Sequence, residues 1–152
     1  MADIETGPAT AADLPRLVSL IEALAAHHDD SAVTDTATLS RDILGETPWV
    51  TMIVARVAGD IVGYAALCPL VQLQFGVRGM DMHHLYVVPP HRGTGVGQAL
   101  VKASQNAAAS LGCRYLAVGT HPDNDAAQRF YERAGFDRLP GGPRFRIKLA
   151  AG

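Results

Sequence analysis

The chain has 152 residues, 48% of them apolar, with 13 Lys and Arg against 15 Asp and Glu. A chain of this length buries about two-thirds of its unfolded surface, so one domain over residues 1–152 is expected. A net charge of −2 with scattered Lys and Arg gives no basic field for nucleic acid, and no apolar run reaches the roughly 20 residues of a membrane helix. The opening "MADIETGPATAAD" lacks the basic-then-apolar order of a secretion signal, which makes a cytoplasmic protein the expectation.

From Leu17, the apolar residues Leu17, Leu20, Ile21, Leu24 and Ala25 recur on one helix face, with Thr10 or Asp13 as cap and Pro15 in or near the first turn. "TDTATLSRDIL" is a shorter helical pattern. "WVTMIVARV" and "IVGYAALCPLVQLQF" are strands joined by "AGD", and together they predict an antiparallel hairpin. A second turn around Gly76 and Gly79 leads to the strand "MDMHHLYVV", which Pro89 and Pro90 must end because proline cannot donate to a ladder. A helix follows, striped by Val96, Leu100, Ala103, Ala107 and Leu111 and closed by Gly112. "RYLAVGT" is a short strand, "DAAQRFYERAG" a helix capped by Asn124 and closed by Gly135, and "RFRIKLA" a last strand. The order predicts an α/β fold, a mixed sheet flanked by helices.

Cys68 and Cys113 sit in "AALCPL" and "LGCRYLAV" without CxxC spacing and are expected as buried thiols. His27, His28, His83, His84, His91 and His121 show no zinc-site spacing, so no metal is expected. The apolar stretch "VQLQFGV" fits a core strand, an exposed edge or a subunit contact.

Between a strand and a helix lies "LYVVPPHRGTGVGQAL". The first amides of a helix have no internal partners, and the peptide dipoles put positive potential there. Gly93, Gly95 and Gly97 remove side chains that would hold a phosphate away from those amides, and Arg92 can add a charged contact. The stretch reads as a pyrophosphate cradle. The nucleotide loop GxxxxGK[ST] is excluded because Gln98 follows Gly97, and GxGxxG opening at Gly93 would need glycine at 98. A plain glycine turn is the simpler alternative.

This stretch resembles the acyl-CoA signature of the GCN5-related N-acetyltransferase (GNAT) superfamily, [RQ]xxGx[GA], through Arg92, Gly95 and Gly97. Downstream, "NDAAQRFYERAGF" resembles the family helix through Asn124, Ala127, Tyr131, Gly135 and Phe136. The resemblance covers nearly the whole chain. It implies a single domain with a mostly antiparallel sheet, splayed between its fourth and fifth strands by a bulge near Leu85, Tyr86 and Val87, and acetyl-CoA as co-substrate. It places Leu85, Tyr86 and Val87 beside pantetheine, whose amides would satisfy a strand edge. Arg92, Gly93, Thr94, Gly95, Val96 and Gly97 would hold the pyrophosphate, with Asn124, Ala127 and Tyr131 along the coenzyme arm.

The implied activity is transfer of an acetyl group to a primary amine by direct attack in a ternary complex. Amine acetylation needs a neutral amine, a polarised carbonyl and a proton for the leaving thiolate. Tyr131 stands where relatives carry the tyrosine that protonates the sulfur; core packing beside Phe130 is its simpler reading. His83 is the first candidate for proton relay, since relatives often carry glutamate there and a neutral imidazole can take the proton. Asp81 and His84 stand behind it. Strict alternation puts Asp81, His83 and Leu85 on one face and Met82, His84 and Tyr86 on the other, unless a bulge breaks the period.

The nearest likeness within the family is the small-amine group, including diamine acetyltransferases, on "PATAADLPRLVSLIEALAAHH" and "GMDMHHLYVVPPHRGTGVG". That group carries Glu-Asp where this chain has His83 and His84, and imidazoles lack the Coulomb attraction that carboxylates offer a polycation. An amino acid, an aminoglycoside, another small amine or a protein N-terminus stays open as acceptor. A coenzyme-sensing or partner-binding module and a protein-lysine acetyltransferase are the alternatives, and a homodimer is an expectation the family suggests.

Overall fold

The computed structural model describes residues 3–141, 143, 145 and 147–149 and falls into two compact units, residues 1–119 and 120–152. The first unit runs β1 (Ile4–Pro8), α1 (Leu14–His27), α2 (Thr36–Leu44), β2 (Thr51–Val57), β3 (Asp60–Gln72), β4 (Val77–Val87), α3 (Val96–Ser110) and β5 (Cys113–Val118). In the second, α4 spans Asp125–Arg133. The five strands form one sheet in the order β1 to β5, antiparallel except for the parallel pair of β4 and β5. This is the expected mixed sheet flanked by helices.

Local chemistry accounts for most boundaries. The β2–β3 hairpin turns on Ala58 and Gly59, both at positive φ (51° and 85°), the mirror-image turn whose twist matches the strands. Asp35 caps α2 by accepting from the Thr38 amide at 2.8 Å. At the start of α1, buried Asp13 accepts from the Thr10 amide at 2.8 Å and from Arg56 Nη2 at 2.7 and 2.8 Å, tying the helix to β2. Burial pushes the Asp13 carboxyl up, but the Arg56 and Thr10 hydrogen bonds outweigh it and hold the group below its usual range.

Each face of the sheet has its own cover. Leu17 and Leu20 of α1 and Leu39 of α2 join Met52, Val54, Tyr64, Ala66 and Tyr86 in one cluster. On the opposite face α3 lies against β2, β3 and β4. Gly63 is held close to that helix: a Cβ there would stand 2.8 Å from the Tyr86 carbonyl oxygen and 3.1 Å from Leu100.

Four points add to or depart from what the sequence suggests. Strand β1 has no alternation to announce it; it is an edge strand formed by pairing with β2, from Ile4 opposite Val57 to Pro8 opposite Ile53. "VQLQFGV" is not core strand: Leu73 and Phe75, at the turn between β3 and β4, are 82% and 69% exposed. The final strand expected over residues 144–150 lies partly outside the described residues, and residues 145 and 147–149 form no strand. Cys68 and Cys113 are free thiols, each half-buried rather than fully buried.

Candidate active site

Strand β4 changes phase in its middle. Its ladder with β3 pairs Leu67 with Met82 and Ala66 with His84, so His83 is an extra residue opposite no single partner. Such a bulge lets two consecutive side chains project to the same side. Met82 therefore lies with Leu67 toward α3, while His84 and Tyr86 lie with Ala66 and Tyr64 toward the α1 face. Strict alternation would have put Met82, His84 and Tyr86 together, and the bulge overturns it. Asp81, paired with Cys68, falls by alternation on the α1 face as well. His83 stacks on His84 with ring centroids 4.4 Å apart and planes 13° from parallel. The bulge thus gathers Asp81, His83 and His84 on one side.

Below His84 lies a residue the sequence did not single out. Tyr64 is fully buried, and its hydroxyl stands 3.0 Å from His84 Nδ1. Burial, with the neighbouring Tyr86, pushes the Tyr64 phenol above its usual range. Burial first, then His83 and His28, pushes the His84 imidazole down to about 4. His84 is therefore neutral near pH 7. His83 is exposed and Asp81 half-buried.

The edge of β4 opens just where the bulge begins. Pairing with β5 runs from Arg78 opposite Cys113 to Met82 opposite Val118 and stops. Beyond it, His83, Leu85, Tyr86 and Val87 have no strand neighbour on that side among the described residues. Backbone groups at such an edge accept an extended, amide-bearing partner.

The strand then runs into the glycine loop. Val88 still reaches back to β3, its amide donating to the Val62 carbonyl at 2.9 Å. Arg92 Nε donates to the Val87 carbonyl at 2.9 Å, and its guanidinium lies 5.5 Å from the Tyr86 ring centroid. Arg92 is thus partly committed to the strand end. Thr94 donates its hydroxyl to the His91 carbonyl. Gly93 and Gly95 take φ of 74° and 95°, a region that side chains adopt at a cost. Beyond its chain neighbours, no atom among the described residues lies within 4 Å of where a Cβ of Gly93 would stand, so that space is open to a ligand. The first backbone bond of α3 runs from the Ala99 amide to the Gly95 carbonyl at 3.0 Å, leaving the amides from Gly93 to Gln98 without backbone acceptors among the described residues. Gly97 belongs to the first turn of α3. Val96, 1% exposed, anchors the helix in the core, so only its amide is offered to the loop.

In the second unit, Asn124 Oδ1 accepts from the Ala127 amide at 3.1 Å and caps α4. Tyr131 is half-buried, edge-on to the Phe136 ring at 5.6 Å, and burial raises its phenol. It is therefore protonated near neutral pH and able to give a proton. Among the described residues no three His, Cys, Asp or Glu are grouped to hold a metal, and no helix is long and apolar enough to cross a membrane.

Residues 17–136 match the acetyltransferase (GNAT) family. The chain is 34% identical over 100 residues to an uncharacterized N-acetyltransferase of Mycobacterium tuberculosis, covering 66% of this chain and 60% of that protein. It is 35% identical over 133 residues to the mycothiol acetyltransferase of Sanguibacter keddieii, covering 88% of this chain and 39% of that one. The chain thus spans less than two-thirds of either relative. Its fold superposes on that of an aminoglycoside N-acetyltransferase solved in complex with CoA, with a TM-score of 0.82, 19% identity and coverage of 98% of this chain and 97% of the other.

Proposed function

The chain belongs to the acetyltransferase (GNAT) family, and from that premise we propose that it is an acetyl-CoA-dependent N-acetyltransferase acting on a primary amine of a small molecule. The observation that carries the reading is the continuity of two backbone features. The β4 edge left free after Met82 leads directly into the free amides from Gly93 to Gln98. The edge suits the amides of pantetheine and the loop suits a pyrophosphate. Leu85, Tyr86 and Val87 line the first. Arg92, Gly93, Thr94, Gly95, Val96 and Gly97 form the second, and the family's helix motif assigns Asn124 and Ala127 to the coenzyme arm as well.

The reaction joins the amine nitrogen to the thioester carbonyl carbon and breaks the carbon–sulfur bond. Of the two protons an ammonium gives up, one ends on the coenzyme sulfur and one in solvent. Tyr131, protonated at neutral pH, supplies the sulfur's proton and is restored by the proton the nitrogen loses. Exposed His83 carries the other proton outward, with Asp81 as the alternative carrier on the same strand. The neutral His84 beside it offers no carboxylate attraction for a polyamine. The acceptor is therefore a small amine carrying few further charges, and an amino sugar conjugate with one amine fits better than a diamine or another polycation.

Thiol release from acetyl-CoA, followed against a panel of aminoglycosides, amino sugars, amino acids, polyamines and peptides, tests this directly. Turnover with a small monoamine or amino sugar is expected. Tight acetyl-CoA binding with no turnover across the panel would favour a sensing module, and turnover confined to spermidine-like amines would overturn the acceptor class.

A further inference from the structure

Resting on that reading, we propose that Tyr64 is a positioning residue that fixes His84 as the Nε2–H tautomer, making His84 a hydrogen-bond donor into the acceptor site and leaving proton carriage to His83. The Tyr64 hydroxyl stands 3.0 Å from His84 Nδ1 and the tyrosine is fully buried. No other partner of that hydroxyl exists among the described residues. If Nδ1 carried the proton, the phenol hydrogen would point into the core with no acceptor, a cost a buried donor avoids. The phenol therefore donates to Nδ1, and the ring proton resides on Nε2.

Nε2 is the atom left for substrate. It has no hydrogen bond among the described residues, and no fully buried, unpartnered side-chain nitrogen occurs among them, so Nε2 reaches solvent. The bulge turns it to the side it shares with His83 and Asp81. A donor fixed there complements an acceptor's hydroxyl, ether or carboxylate oxygen, or the oxyanion that forms as the amine attacks. It does not complement a second ammonium. Two stacked histidines so divide the work: one is held as a neutral donor by the phenol beneath it, and the other, exposed, is free to exchange protons with water. Carboxylates at these two positions would be acceptors only.

The test is the two-bond ¹H–¹⁵N spectrum of histidine rings in the intact protein, with His84 assigned by its absence in His84→Gln. The expected wild-type result is an unprotonated Nδ1 and a protonated Nε2 for His84 between pH 6 and 8. In Tyr64→Phe the tautomers should mix, and kcat/KM should fall by about tenfold, the worth of one oriented hydrogen bond, while acetyl-CoA affinity stays unchanged. A wild-type His84 protonated at Nδ1 would overturn the proposal, even if Tyr64→Phe fails to fold. So would an unmixed Nε2–H form in a folded Tyr64→Phe protein. The spectrum is read without turnover, so an inactive protein with the expected tautomer would count against the acetyltransferase reading and not against this assignment.

Discussion

At the start of α3 the protein presents backbone: the amides from Gly93 to Gln98, exposed because two glycines at positive φ curl the loop and no Cβ intrudes at Gly93. In the middle of β4 it presents side chains: Asp81, His83 and His84, gathered by one bulge and underpinned by Tyr64. A backbone site tolerates any sequence that keeps the curl and excludes bulk. A side-chain site depends on each residue and on the register beneath it. The first suits a coenzyme whose phosphates and amides never change, whereas the second can be respecified for a new acceptor by altering a few residues.

Breaking the backbone half should give the largest effect. Gly95→Asp forces an acidic side chain into a left-handed position and places its charge beside the free amides. Calorimetry should show acetyl-CoA affinity falling by about 100-fold or more, since the carboxylate competes for the same amides and repels the phosphates. The folded state should persist, because among the described residues beyond its chain neighbours only the end of Ile4, at 3.8 Å, lies within 4 Å of a Cβ there.

Next come the side chains that move protons. Tyr131→Phe should lower kcat by on the order of 10², the range for a positioned general acid, with coenzyme affinity unchanged. Wild-type turnover would reduce Tyr131 to packing against Phe130 and Phe136. His83→Gln should lower kcat/KM by up to about 10², because the outgoing proton loses its carrier. An unchanged kcat/KM would transfer the role to Asp81 or to water.

The smallest effect separates the halves by stability rather than rate. His84 is pushed from an ordinary 6.5 down to about 4 in the folded protein, so the unfolded chain takes up its proton first as pH falls. Stability should therefore drop across the window from about pH 7 to pH 4 and lose nothing further from this group below it. The full shift corresponds to about 3 kcal/mol, which partial exposure of the ring cuts to about 1–2 kcal/mol. Denaturant unfolding of His84→Gln should show a flatter dependence on pH than wild type over that window. An identical slope would mean that His84 is solvated.

The same contrast explains what could be read from the sequence. The cradle was legible in "HRGTGVG" because glycine spacing and a helix start are local, and the strand–loop–helix order fixed where the amides face. A bulge in this strand is implied by the family resemblance, but its place at His83 was not legible, since nothing in "MDMHHLYVV" shows that Leu67 pairs with Met82 while Ala66 pairs with His84; that register depends on β3. Tyr64 was hidden for the same reason, being an ordinary strand former in "IVGYAALC" until pairing brings it beneath His84. Strand β1 escaped because an edge strand of five residues with glycine and proline owes its form to its neighbour. The cap of α4 at Asn124 and its closing Gly135 were legible because both signals are again local.

Hydrogen exchange measured with and without acetyl-CoA tests most directly whether the coenzyme binds along backbone. Slowed exchange confined to the amides between His83 and Val87 and between Gly93 and Gln98 is the predicted result. Protection confined to the β3–β4 turn, or no protection anywhere at saturating acetyl-CoA, would contradict it.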